Sequence, residues 1–204
     1  MAPPTSGKRP ATYQDVLDAP EHKVAEIVDG ELVLSPRPAG PHASVTMGLS
    51  DEISPPFQRA RGGPGGWVIL IEPELHLGKD VLVPDLGGWR QPRLPTVQVP
   101  YFSIVPDWVC EVLSPSTAKL DRSRKQRIYA RAGVGHLWLV DPRFRTVEVM
   151  RLHDGKWLTL AGHTDDERVR AEPFDAIEID LATLWSQLGS FGTRVSEAAA
   201  LYGD

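Results

Sequence analysis

Residues 108–142 read WVCEVLSPSTAKLDRSRKQRIYARAGVGHLWLVDP, and three patterns follow one another within them. Trp108–Leu113 is an apolar run carrying one charge, Glu111, as a strand in the middle of a sheet would. Asp121–Ala132 reads as a helix, with Asp121 placed to cap its first turn and Gly133 placed to end its last. His136–Val140 is apolar throughout and stops at Asp141-Pro142, the pattern of a strand covered on both faces. Buried strand, helix and buried strand in that order call for helices packed on a sheet. The expected class is α/β, with a mixed central sheet flanked by helices.

Working outward, each flank adds strands. Trp67–Leu77 and Val81–Leu86 read as one further pair around Gly78-Lys79-Asp80, with Gly87-Gly88 expected to stop the second strand just after Asp85. Arg90–Pro106 is spotted with proline and reads as a long surface loop. His42–Ile53 sets Val45, Leu49 and Ile53 on one side at helical spacing and is expected to end at Pro55-Pro56. Val24–Leu34 holds two apolar runs split by Asp29-Gly30, a hairpin dipeptide. Thr12-Tyr-Gln-Asp15 has the form of a capping box with Asp in place of Glu. Toward the C-terminus, Thr146–Leu152 and Lys156–Leu160 form a second hairpin at Asp154-Gly155, and Asp180 caps a last helix over Leu181–Leu188. The chain thus divides into a disordered lead-in at 1–10, one domain at 11–188 and a tail at 189–204.

A length of 204 residues fits one domain with a full core. No stretch of 18 uninterrupted apolar residues is present to span a membrane. Lys8 and Arg9 are followed by no apolar run, so the N-terminus is not a secretory signal. The single cysteine, Cys110, excludes an internal disulfide and suits a reducing compartment, so a cytoplasmic protein is expected. A net charge of −5 argues against coating nucleic acid with the whole surface. One segment is basic nonetheless: Lys119, Arg122, Arg124, Lys125, Arg127 and Arg131 meet only Asp121 in opposition. Such a run reads either as a solvated helix face or as a strip that meets phosphate.

Two carboxylates carry the chemistry. Asp85 in Val81-Leu-Val-Pro-Asp85 and Glu111 in Trp108–Leu113 each stand near the end of an apolar strand, where a charge is costly unless it is paired or bound to a cation. If those strands are neighbours, two hard oxygen ligands with a backbone carbonyl and waters suit Mg²⁺. Lys125 lies on the face of the following helix that could lean over both acids; an ordinary salt bridge to Asp121 or Glu111 is its other reading. His42 reads as a helix-starting structural residue or a phosphate contact. Ser114, Ser116 and Thr117 lack a nucleophile elbow and read as turn residues. The six tryptophans are spread along the chain and read as core.

The run Glu111-Val-Leu-Ser-Pro-Ser-Thr117, then Asp121-Arg122, Lys125, Tyr129-Ala130, Gly133-Val134 and His136–Pro142, closely resembles the Uma2 family. Glu26–Glu31, Ser35-Pro36, His42 and Val83-Pro-Asp85 extend the resemblance over about Tyr13 to Leu188. That family is grouped with restriction endonucleases of the PD-(D/E)XK nuclease superfamily. The resemblance implies a restriction-endonuclease-like core with an N-terminal and a C-terminal β-hairpin. It also implies a metal-dependent DNA endonuclease with Mg²⁺ or Mn²⁺ held by Asp85, Glu111 and the carbonyl of Val112. The superfamily's lysine two places after the strand acid is missing, since position 113 is Leu, and Lys125 on the next helix takes its part. Glu31 is carried over as an additional acid at the site's edge, or else a plain sheet-edge carboxylate, with His42 as a further candidate. Arg122, Arg124 and Arg127 are expected to steer the phosphate backbone of DNA, and a homodimer is compatible with this. The missing Glu-X-Lys lysine and the acidic charge suit a rival, a catalytically inactive module of the same fold that binds nucleic acid or a protein. A glycosidase using the paired acids would need clustered aromatics, which the sequence lacks.

Overall fold

The computed structural model describes residues 9–186 and 188, so most of the expected lead-in and the whole tail from 189 lie outside the described residues. Arg9 is docked, its guanidinium donating to both carboxylate oxygens of Asp15 at 2.8 and 2.6 Å. Helix α1, Tyr13–Leu17, starts at the capping box: the Thr12 N–H donates to the Asp15 carboxylate at 2.7 Å. Strands β1, Lys23–Val28, and β2, Glu31–Pro36, pair antiparallel. Their two-residue turn needs positive φ twice, and Asp29 and Gly30 supply 53° and 81°.

Helix α2, Gly40–Ile53, buries Val45, Thr46, Leu49 and Ile53 and ends at Ile53 as expected, but the helical path runs on through Pro55-Pro56. The path widens into a π turn, Ser54–Gln58, with the Arg59 N–H reaching the Ser54 carbonyl at 3.1 Å. Proline's fixed φ suits a helix, but it lacks the N–H for the i→i−4 bond and its ring crowds the carbonyl four residues back. The wider turn routes around that loss, and Pro56 and Phe57 are buried.

Residues 67–90 hold four strands rather than the expected two: β3, Trp67–Ile71; β4, Leu75–Leu77; β5, Asp80–Leu82; and β6, Leu86–Arg90. The β4–β5 hairpin joins β1 and β2 in a four-stranded sheet of order β2-β1-β5-β4. Strands β3 and β6 pair with each other in a larger sheet. Pro73 and Pro84 stand at the two crossings between sheets, where a missing ladder donor does no harm. Gly87 and Gly88, read from the sequence as a stop, lie inside β6. A Cβ at 88 would come within 3.0 Å of the Trp108 indole, and one at 87 within 2.8 Å of Pro73, so glycine here makes room for neighbouring rings.

The larger sheet has the order β10-β9-β8-β7-β6-β3. Here β7 is Trp108–Val112, β8 is His136–Asp141, β9 is Thr146–His153 and β10 is Lys156–Thr164. Only β7 and β8 run parallel, and the helical stretch between them is α3, Ala118–Leu120, a π turn, Asp121–Lys125, and α4, Gln126–Ala132. Asp121 is therefore not the cap but a buried residue inside the stretch, which starts three residues earlier. Gly133, at φ 87°, ends it as expected. The C-terminal hairpin turns at Asp154 and Gly155, both at positive φ. A two-stranded pair, β11, Arg168–Val169, with β12, Ile179–Asp180, leads to α5, Leu181–Trp185, where Asp180 accepts the Ala182 N–H at 3.0 Å.

Side chains of β7 alternate between two apolar layers. Trp108, Cys110 and Val112 face α2 and α5, where Phe174 packs within 4.9 Å of Trp67 and 4.8 Å of Trp108. Val109 and Leu113 face Ile128 and Tyr129 of α4. Alternation therefore puts Glu111 under the helix. Among the described residues no helix is long and apolar enough to cross a membrane.

Candidate active site

One cleft opens where the two sheets meet, and Asp85, Glu111 and Lys125 all line it. Asp85 sits on the crossing from β5 to β6, beside the C-terminal end of β7, and its Oδ2 accepts the Val112 N–H at 2.6 Å. Glu111, on β7, is buried with 3% of its surface exposed. Its Oε1 takes two donors, the Lys125 ammonium at 2.8 Å and the Tyr129 hydroxyl at 2.5 Å. The π turn presents Lys125, whose Nζ also lies 3.0 Å from Glu26 Oε1 and 3.5 Å from Asp121 Oδ1. Glu26, on β1, is fixed by the Val83 N–H at 2.8 Å. His42, in the first turn of α2, points Nε2 at Asp85 Oδ1 over 3.1 Å, while its Nδ1 is buried without a hydrogen-bond partner among the described residues.

Acids outnumber cations in this space, and the proton affinities follow. Burial pushes the Glu111 carboxyl well above its usual range, and the charges of Asp121, Asp85 and Glu26 push it further against the pull of Lys125. Burial likewise raises Asp121. Burial alone would depress Lys125, but Glu111 and Glu26 outweigh it and hold the ammonium well above its ordinary value. His42 is lowered by burial but raised more by Asp85 and the nearby Val112 carbonyl, so it stands above the ordinary imidazole value.

A family model described as "Uma2: Putative restriction endonuclease" matches residues 10–182. The chain belongs to the Uma2 family. In shape this Uma2 protein is similar to "a putative nuclease belonging to DUF820" from Anabaena variabilis ATCC 29413, at TM-score 0.72 and 24% identity over 88% of this chain and 99% of that one. That likeness shows the mixed α/β fold. No curated protein matches.

The remaining residues singled out in the Uma2 sequence fall elsewhere. Glu31 is an exposed residue of β2 that takes the Arg124 guanidinium at 2.7 Å, outside the cleft lining. Arg124 also donates to Asp29 and the Val28 carbonyl, so it clamps the β1–β2 hairpin and does not line the cleft. Arg122 pairs with Glu148 of β9 at 2.6 Å, and Arg127 is exposed on α4; neither lines the cleft. Several polar residues of the site went unmarked as site residues in the sequence, among them Glu26, Arg37, Glu72, Asp121 and Tyr129. Glu26 carried the same signal as Glu111, a lone acid in an apolar run. Tyr129 entered only through the family resemblance, since nothing local ties it to a partner 18 residues away.

Proposed function

We propose that this Uma2 protein is a metal-dependent nuclease that hydrolyses DNA phosphodiester bonds, with Asp85 and Glu111 holding Mg²⁺ or Mn²⁺. The observation that carries the reading is the convergence of both acids on one cleft with the Lys125 ammonium 2.8 Å from Glu111. Among the described residues no three His, Cys, Asp or Glu side chains form a metal cage. Two carboxylates, with the Val112 carbonyl near them and water completing the shell, suit a hard ion, since Mg²⁺ commonly keeps several waters and takes one or two protein carboxylates. When bound, such an ion polarises a phosphoryl oxygen and acidifies a coordinated water.

The chain's own groups support that chemistry in distinct ways. Held protonated by its carboxylate partners, Lys125 suits the offset of negative charge at the phosphoryl group better than the removal of a proton. Tyr129 fixes Glu111, and His42 with the Val112 N–H fixes Asp85, so both acids are preorganised. A cytoplasmic location belongs to the same reading. The inactive-module rival draws on the buried Leu113 where a lysine is expected and on the closed ion pairs of Lys125.

Cleavage of supercoiled plasmid and of single-stranded DNA in Mg²⁺ or Mn²⁺, with Asp85→Ala as control, tests the proposal. The wild type is expected to cut only with metal and the variant not at all. Equal cutting by both assigns the activity to a contaminant. Calorimetric binding of DNA by a wild type that neither cuts nor needs Mg²⁺ selects the rival.

A further inference from the structure

With Arg124 clamped to the hairpin and Arg122 paired on β9, the expected basic helix leaves the cleft without a phosphate contact from that side. The cleft supplies another. Arg37, on the link from β2 to α2, lines it and is 55% exposed in its side chain. Among the described residues its nearest carboxylate, Glu72, is 3.7 Å away, and its one hydrogen bond goes to the Glu21 carbonyl at 3.1 Å. A guanidinium so loosely held keeps most of its five donors for a ligand. The cleft is also lined by the turn after β7, where the Ser114 hydroxyl lies 2.9 Å from that of Ser116 and 3.0 Å from that of Thr117. These hydroxyls can turn their protons outward, as neutral donors to phosphate oxygens. Lys125 cannot reach out in the same way, because three buried carboxylates hold it.

We infer that Arg37 and the Ser114–Thr117 turn form a phosphate-docking lip that seats a phosphodiester next to the scissile one. This rests on the nuclease reading and deepens it. A polyanion entering a cleft lined by Glu26, Glu72, Asp85, Glu111 and Asp121 meets repulsion, and a cation at the mouth offsets it before the chain reaches the metal ligands. Arg37 is a positioning residue in this scheme: it binds the substrate backbone and leaves the reacting atoms to the acids.

The test measures binding of a fluorescein-labelled DNA oligonucleotide, duplex and single-stranded, by anisotropy in Ca²⁺ across a salt series. Arg37→Ala is expected to weaken binding about tenfold and to lower the slope of log K against log salt by about one. Ser116→Ala, at an exposed position, is expected to weaken it by about threefold with the slope unchanged, and Arg37→Lys to restore most of the slope. In cleavage assays with Mg²⁺, Arg37→Ala is expected to raise KM with kcat nearly constant. A wild type that binds while Arg37→Ala matches it in affinity and slope overturns the lip alone. A slope lost in Arg127→Ala but kept in Arg37→Ala moves the contact back to the helix and overturns it equally. A wild type that neither binds nor cuts DNA overturns the nuclease reading and the lip with it.

Discussion

Lys125 shows how a single buried cation organises its neighbours. Its side chain is 3% exposed, and Glu26, Glu111 and Asp121 around it are 5%, 4% and 4% exposed. Removing the ammonium leaves carboxylates in a dry space without their counter-charge, which is more costly than the pair is stabilising. Lys125→Ala is therefore expected to lose about 3–5 kcal/mol of stability, read as a lower urea midpoint with the m-value kept. A loss below about 1 kcal/mol would mean that water replaces the ammonium. At this scale the sequence was informative where one charge interrupts an apolar run, as at Glu111, and it placed Lys125 next to that acid. It was silent where the partner comes from a distant segment. Asp121 illustrates the ambiguity: the letter that caps a helix is also the letter that faces a buried lysine, and only the packing of the π turn on β7 decides between them.

Among elements, the β1–β2 hairpin matters because it delivers Glu26, and the helix holds it in place. Arg124 and Arg131 both donate to Asp29 at the hairpin turn, and Arg131 also reaches Asp80 of β5. These partners lie 51 to 102 residues apart, so a run of cations in one helix could not be told from a phosphate-binding strip without knowing what packs against it. Burial would raise Asp29, but Arg131 and Arg124 outweigh it and hold its carboxyl below the usual range. A folded pKa below the unfolded one adds stability that is fully present above the unfolded value and is lost as pH falls through the folded value. Asn accepts the left-handed backbone of this turn, so Asp29→Asn removes the charge without straining the hairpin. The variant is expected to melt below the wild type at pH 7, with the gap closing as pH falls below about 4. A gap that stays constant down to pH 2 would show that the arginines act by packing alone.

For the whole molecule, the cleft exists because the chain crosses between two sheets. Glu26 comes from the four-stranded sheet, Glu111 from the six-stranded one, and Asp85 from the crossing itself. The alternation and turn dipeptides made most strands and hairpins legible, and the strand–helix–strand order that became β7, the helix and β8 followed from residues 108–142 alone. The split of residues 67–90 between two sheets was not legible, because Pro73 and Pro84 stand inside apolar runs that read as single strands, and Gly87-Gly88 signalled a break where it relieves crowding. A ligand held by Asp85 and Glu111 would tie the crossing to β7 and stabilise the folded state by mass action. Mn²⁺ at a hundred times its dissociation constant is expected to add about 2.7 kcal/mol. For a chain of this size that raises the melting temperature by roughly 5–10 °C. Asp85→Asn should abolish the rise, whereas Asp154→Asn, at the 91% exposed tip of the far hairpin, should keep it. An equal rise in Asp85→Asn would place the ion away from the cleft and separate the fold of this protein from the chemistry proposed for it.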